Sequence, residues 1–155
     1  MLLEEDLEKP EYEWDTTTTP SGVYHLKVVA SDRRDNPPSE ALTGERVSDP
    51  FVVSHVPPAV KVKVVGLEGG RAVLEAEASS GLVRLTAASF ALNGKKWVNV
   101  FPTDGLFDSK SETFRFQTGP LKPGTYVLVL RVKDAAGNTG SGDVVFSVQA
   151  KSPAK

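Results

Sequence analysis

Aspartate and asparagine side chains are concentrated in three loops, and calcium coordination is the most specific chemistry that they suggest. Calcium takes six or more oxygen ligands, which acidic loops can supply. None of these loops has the dense DxDxDG spacing of a dedicated calcium loop, and both residue types also favour turns, because their side chains bond nearby backbone. We therefore expect turn formation ahead of calcium binding. The candidate ligands are Asp32, Asp35 and Asn36 in one loop, Asp134 and Asn138 in a second, and Asp104 and Asp108 in a third.

The sequence gives little support for metal binding or catalysis by histidine, cysteine or serine side chains. The two histidines, His25 and His55, form no HxH or HxxxH pair, which argues against a histidine metal site. The chain contains no cysteine, which excludes disulfides, cysteine-ligated zinc and thiol catalysis. It also carries no GxSxG-like elbow. Because a small β-domain offers no deep cleft by default, the sequence predicts a protein that is not an enzyme and that has no cofactor.

The two tryptophans, Trp14 and Trp97, are candidates for a second kind of chemistry, the stacking of sugar rings. Large aromatic side chains are more often buried, so a place in the core is the favoured interpretation for both. Trp14 precedes a run of four threonines, and we expect it to cover the exposed end of the first part of the chain.

The composition of the 155 residues disfavours two classes of partner. The net charge is −2, so there is no basic excess to neutralise the phosphates of a nucleic acid. No apolar run reaches the length of a membrane span. Acidic residues are concentrated between Glu4 and Asp15, where we expect a solvated leader or an edge strand.

Two stretches of the chain repeat one another with an offset of 102 residues. Residues 22–36 read GVYHLKVVASDRRDN, and residues 124–138 read GTYVLVLRVKDAAGN. An apolar run follows each stretch, at 50–54 and at 144–148. A unit of about 100 residues has the size of an immunoglobulin-like sandwich. The equivalent positions are Gly22 and Gly124, Tyr24 and Tyr126, Leu26 and Leu128, Val28 and Leu130, Asp32 and Asp134, and Asn36 and Asn138.

Residues 58–150 carry seven strand candidates, each bounded by turn residues, and most of them alternate apolar and polar side chains. This alternation is typical of sheets with one wet face, so the sequence predicts an all-β antiparallel sandwich. Asn93-Gly94 indicates a type I′ hairpin, which would pair Leu92 with Lys95 and place Phe90 opposite Trp97 as a structural pair. The predicted strands are residues 60–65, 71–78, 82–92, 95–101, 112–118, 124–133 and 143–150.

The LKPGTY segment at 121–126 resembles the tyrosine corner of fibronectin type III domains and related sandwiches, in which the tyrosine hydroxyl bonds main chain upstream. The strand and turn that follow resemble the closing strands of bacterial immunoglobulin-like repeats, and residues 20–24 carry a looser copy of the corner. Residues 12–32 and 48–58 are similar to modules at the C-terminal ends of large secreted bacterial proteins. The resemblance implies a fibronectin-III- or immunoglobulin-like fold, structural roles for the corner residues Gly22, Tyr24, Gly124 and Tyr126, and an exported parent protein.

The first unit, residues 1–56, lacks residues for its early strands, because only 21 residues precede Gly22 whereas more than sixty separate Gly124 from the linker at Pro57-Pro58. We expect Met1 to be a boundary within a longer chain that is extracellular, periplasmic or in the cell envelope. The alternative is completion in trans by a second copy, which would make a homodimer. Residues 151–155 are predicted to be a disordered tail.

These features favour a non-catalytic structural or protein-interaction module, with the other domains of its parent protein as partners. An accessory module that binds a carbohydrate or another ligand is the alternative. Exposed aromatic rings would favour that alternative, and buried rings would oppose it.

Overall fold

A computed structural model describes residues 1–149, and this part of the chain is all-β, with antiparallel strands and no helix. The predicted fold class, an antiparallel sandwich with one complete module and a partial one, is confirmed. The described residues accordingly contain no helix that is long and apolar enough to cross a membrane. The chain forms two compact units, Met1–His55 and a second that begins at Val56. Ala150 and the tail predicted at 151–155 lie outside the described residues.

The first unit is a single long hairpin that is interrupted in the middle. Strand β1 (Gly22–Tyr24) pairs with β4 (Phe51–Val53), and β2 (Lys27–Ser31) pairs with β3 (Thr43–Val47). Ser48 bridges the break, because its backbone N–H donates to the Leu26 carbonyl at 2.8 Å and its hydroxyl accepts from the Leu26 N–H at 3.0 Å.

The β1–β4 end of this hairpin, which lies away from the loop between β2 and β3, is covered by the segment that precedes β1. The Trp14 ring lies edge-on to the rings of both Tyr24 and Phe51, with 6.0 Å between centroids in each pair. His55 ties the same segment down, since its Nε2–H donates to the carbonyl oxygens of Thr16 at 2.9 Å and Thr19 at 3.1 Å. This end of the hairpin is therefore packed within its own unit.

The second unit is a sandwich of two antiparallel sheets. One sheet has the order β5-β6-β9 and the other the order β11-β10-β7-β8. The seven strands lie where the alternation predicts them. Their bounds are β5 Ala59–Glu68, β6 Arg71–Ser79, β7 Leu85–Leu92, β8 Val98–Val100, β9 Ser111–Gln117, β10 Gly124–Asp134 and β11 Thr139–Val148.

The core lies between these two sheets and is made by alternate residues of each strand, as period-two alternation requires. On β10, Leu128, Leu130 and Val132 are completely buried, and Phe90 of β7 stacks on Phe116 of β9 with 5.0 Å between ring centroids. The buried members of the core are Ala72, Leu74, Ala76, Ala78, Leu85, Ala88, Phe90, Val100, Phe114, Leu128, Leu130 and Val132.

The β7–β8 hairpin has the predicted turn but not the predicted register. Asn93 and Gly94 both have positive φ angles, of 50° and 67°, and the Lys95 N–H donates to the Leu92 carbonyl, as in a type I′ turn. The strands then pair Phe90 with Val98. The prediction that Phe90 faces Trp97 is therefore wrong by one residue, and such a slip moves a side chain to the opposite face of the sheet.

The two sheets approach each other most closely where β11 passes the start of β5, and two glycines make this approach feasible. A Cβ atom on Gly140 would lie 1.8 Å from the Pro58 carbonyl oxygen, and one on Gly142 would lie 2.6 Å from that of Val60. Backbone atoms cannot move aside as a flexible side chain can. Glycine at these positions therefore lets the first strand of the unit close against the last.

Replacing Gly140 with alanine should lower the free energy of unfolding of the second unit by about 3 kcal/mol, because the added methyl group overlaps a backbone carbonyl. Urea denaturation of the wild type and Gly140→Ala, followed by circular dichroism, measures this difference. Gly81→Ala is the matched control, since its Cβ meets no atom within 4 Å, and it should change stability by less than about 1 kcal/mol. Equal stability of the two variants would contradict the close approach.

Candidate functional site

Two tyrosine corners occupy equivalent places in the two units. The Tyr126 hydroxyl donates to the Lys122 carbonyl at 2.8 Å, and the Tyr24 hydroxyl donates to the Pro20 carbonyl at 2.6 Å. In both cases the acceptor lies four residues upstream. Gly124 sits at φ 154°, two residues before its tyrosine, at the entrance to β10. These bonds fix the entry of β1 and of β10, and they engage both tyrosine hydroxyls.

Asp134, a candidate calcium ligand, is instead enclosed in the turn between β10 and β11. Its side chain is 1% exposed. One carboxylate oxygen accepts the backbone N–H groups of Ala136 at 3.0 Å and Asn138 at 2.9 Å. The other accepts from the Asn138 side-chain amide at 3.2 Å and from the Ser80 hydroxyl at 3.4 Å. Both oxygens thus organise the turn, which is the alternative role that the sequence suggested.

The remaining acidic loop residues are placed separately. Asp32 accepts the Leu42 N–H at 2.6 Å across the loop of the first unit, and Asp104 accepts the Leu106 N–H at 3.1 Å within its own turn. In residues 1–149, no group of three or more histidine or acidic side chains is arranged to hold a metal ion. The structure therefore does not assemble the calcium candidates Asp32, Asp35, Asn36, Asp104, Asp108, Asp134 and Asn138 into one site.

The histidines also bond main chain. The exposed His25 donates from Nδ1 to the Ser48 carbonyl at 3.1 Å, at the break in the hairpin. Near His55, hydrogen bonds from the backbone N–H and the hydroxyl of Thr17 lower the pKa of the Asp15 carboxyl. The His25 contact lies at the break in the hairpin, and the Asp15 contacts order the segment before β1.

The outer face of the four-stranded sheet carries the one aromatic group that sequence reasoning misplaced. Because of the register shift, Trp97 lies outside the core, with 38% of its surface exposed. The Arg131 guanidinium stacks on its ring, with Cζ 3.9 Å from the ring centroid. The expectation that Trp97 is a core residue is therefore wrong. One ring face is already covered by a cation, so Trp97 is not an open platform for a sugar ring on that face.

Arg131 is further held by β7 and lies beside a shallow recess. Its Nε–H donates to the Ser89 hydroxyl at 2.9 Å, and Ser89 is the residue directly opposite it on β7. We call the adjoining space, of approximately 310 Å³, the Arg131 recess. Its lining consists of two alanines, Ala87 and Ala88, and of the polar or charged residues Ser89, Asn99, Arg131, Lys133 and Thr139.

The alternation of residues 124–133 places Arg131 and Lys133 on the face of their strand opposite Leu128, Leu130 and Val132, but no sequence pattern connects them with Trp97. Alternation along the strand predicts the outward position of these two side chains. The contact of Arg131 with Trp97 depends instead on the residues between the Asn93-Gly94 turn and β8. The Asn93 side chain accepts the Val127 N–H at 2.8 Å, and the Asn93 N–H donates to the Val127 carbonyl. This pairing extends the contact between β7 and β10 by one residue, into the turn itself.

No protein-family model matches the chain, and no curated protein resembles it significantly in sequence.

Replacing Asp134 with alanine should destabilise the second unit by about 2–3 kcal/mol, because buried backbone N–H groups lose a charged acceptor. Urea denaturation measures this, with Asp108→Ala, at an exposed loop position, as a control that should cost under about 0.5 kcal/mol. Millimolar calcium should leave the melting temperature of the wild type unchanged, since both Asp134 oxygens are already engaged. A clear rise in that temperature with calcium would contradict the assignment of these carboxylates to turns.

Proposed function

We propose that this chain is a non-catalytic interaction module in which the hairpin of the first unit receives a β-strand from a partner polypeptide. The second unit is the stable sandwich, and the first unit offers an open face on which a strand can lie. This proposal follows the resemblance to fibronectin type III and bacterial immunoglobulin-like repeats, and places the chain in a larger exported protein. The proposal rests on one observation, which is that apolar side chains at equivalent positions are buried in the second unit and exposed in the first.

The same apolar positions are covered in one unit and open in the other. In β10, Leu128 and Leu130 are 0% exposed, because the β5-β6-β9 sheet lies over them. Their equivalents in the first unit, Leu26 and Val28, are 38% and 63% exposed. An isolated two-stranded hairpin is marginally stable in water, and a third strand or a second layer stabilises it. The β2 half of this face is apolar and Arg46 of β3 lies opposite Val28 on it, so a cover that packs on Val28 would stabilise the hairpin.

A glycine in the first unit indicates the kind of cover that fits. Val132 pairs with Gly140 in the second unit, and at the equivalent place Ala30 pairs with Gly44. Gly140 is in contact with the backbone of the first strand of its sandwich, whereas a Cβ atom on Gly44 would meet nothing within 4 Å. Space for a passing backbone is thus present beside β3. An extended strand is the occupant that makes use of it.

The chemistry of the incoming strand follows from β5, which fills this place in the second unit. Its inward residues Val60, Val62 and Val64 are partly buried against the core, and they alternate with Lys61 and Lys63, which face outward. The partner strand that fits the first unit therefore alternates β-branched aliphatic residues with polar ones. In the second unit β5 makes its main-chain ladder with β6, so a strand in this place is held on the hairpin by its alternate side chains.

The two equivalent positions should respond differently to truncation. Leu130→Ala should lower the stability of the second unit by about 2–5 kcal/mol, because it leaves a cavity in a closed core. Val28→Ala should change the stability of the first unit by less than about 0.5 kcal/mol, because the side chain is exposed. Urea denaturation followed by the NMR amide signals of each unit separates the two. A large loss for Val28→Ala would show that the face is already covered in solution.

A peptide copy of β5, residues 57–66 with sequence PPAVKVKVVG, tests strand addition directly. Added to the ¹⁵N-labelled chain, it should shift the amide signals of Val28 and Gly44 saturably. A control peptide with Val60→Ser, Val62→Ser and Val64→Ser should not, and Val28→Lys in the chain should abolish the effect.

Two results would contradict the proposal. Equal shifts with both peptides, or shifts confined to the second unit, would mean that the first unit does not accept this strand. A stable dimer of the unmixed chain that Val28→Lys dissociates would make a second copy the occupant instead. Sedimentation velocity distinguishes this second case, and a monomer is the expected result.

A further inference from the structure

Arg131 is held in one position before any ligand arrives. The Trp97 ring supports one face of its guanidinium, and Ser89 accepts its Nε–H. A guanidinium has five N–H donors, so four remain on the two terminal nitrogens. None of these four is bonded to another group within residues 1–149. A planar fork that is fixed in place loses little entropy when it binds a carboxylate with two hydrogen bonds.

The charge around Arg131 is not neutralised, in contrast to the opposite face of the same sandwich. On the β5-β6-β9 sheet, Glu75 lies between Arg115 at 2.6 Å and Lys63 at 3.3 Å. In the described part of the chain, no carboxylate lies within 4.0 Å of the charged nitrogens of Arg131 or Lys133. The nearest acid by strand register is Asp143, which pairs with Val129, one position further along that face. The recess therefore favours an anion.

The other groups of the Arg131 recess suit a ligand that is polar and also has a C–H surface. The hydroxyl of Thr139 and the amide of Asn99 can exchange hydrogen bonds with hydroxyl groups, and Ala87 is an exposed apolar contact. The recess is shallow, with a volume of approximately 310 Å³, so a single sugar ring would lie against the sheet there and remain open to solvent.

We propose that the Arg131 recess binds a carboxylated sugar, such as a hexuronate unit of an acidic polysaccharide. The ligand carboxylate accepts from the terminal N–H groups of Arg131, with Lys133 adding positive charge. The ring hydroxyls bond Asn99 and Thr139, and one C–H edge of the ring lies on Ala87. This site is separate from the strand-accepting face of the first unit, so either proposal can fail without the other.

Titration of the ¹⁵N-labelled chain with trigalacturonate at low ionic strength tests the site. Saturable shifts should appear in the Trp97 indole N–H, the Arg131 Nε–H and the Asn99 amide. Arg131→Gln should weaken binding at least about tenfold, because a charge-assisted pair is lost. Arg131→Lys should also weaken it, since a lysine keeps the charge but not the fork. Arg115→Gln, on the opposite sheet, is the matched control and should leave affinity within about twofold.

The choice of probes tests the class of ligand. The neutral sugar trigalactose should bind at least about tenfold more weakly than trigalacturonate, and the acidic peptide triglutamate should do the same. Equal binding of trigalactose would overturn the role of the carboxylate, and equal binding of triglutamate would overturn the assignment to sugars. Unchanged affinity in Arg131→Gln, with the variant's spectrum otherwise intact, would overturn the site itself.

Discussion

The burial of one hairpin under a second sheet is the interaction on which the sandwich depends. The inner side chains of β10, including Leu128, Leu130 and Val132, are fully removed from water by β5, β6 and β9. Each such leucine contributes about 1.5–3 kcal/mol relative to an exposed one, which is more than any surface ion pair of the chain can add. Closure of β5 against β11 completes that cover, and Gly140 and Gly142 are the residues that permit it.

The two units have the same local hydrogen bonds, but only the second unit has a sheet packed over its apolar face. The contribution of local bonds can therefore be separated from that of tertiary packing. The corner bonds of Tyr24 and Tyr126 span four residues each and form in both units. The pairs Tyr24–Phe51 and Tyr126–Phe146 occupy equivalent register positions. A hairpin of this sequence is thus specified by its own turn and corner. Whether it becomes a stable domain is decided by what lies over its apolar face.

The strands of the second unit could be predicted because their buried faces impose a period of two, and the repeat carried that prediction to β1, β2 and β4. Strand β3 could not be predicted, because all five of its residues are exposed and they show no alternation of apolar and polar side chains. The environment of Trp97 was mispredicted for another reason. The Asn93-Gly94 turn is visible in the sequence, but the extra residue between that turn and β8 leaves no pattern of its own, and register depends on it.

That one extra residue explains why the two outer faces of the sandwich differ. With the simple register, Trp97 would point into the core and Arg131 would lie on an outer face without an aromatic neighbour. With the observed register, the indole lies outside the core, where Phe90 and Phe116 stack on each other. The indole instead packs against the guanidinium of Arg131. The opposite sheet uses its cations in ion pairs with Glu75. A cation held by an aromatic ring retains its charge toward solvent, whereas a cation paired with a carboxylate does not. The register shift therefore moves the indole out of the core, where it supports a charge that stays exposed on the outer face.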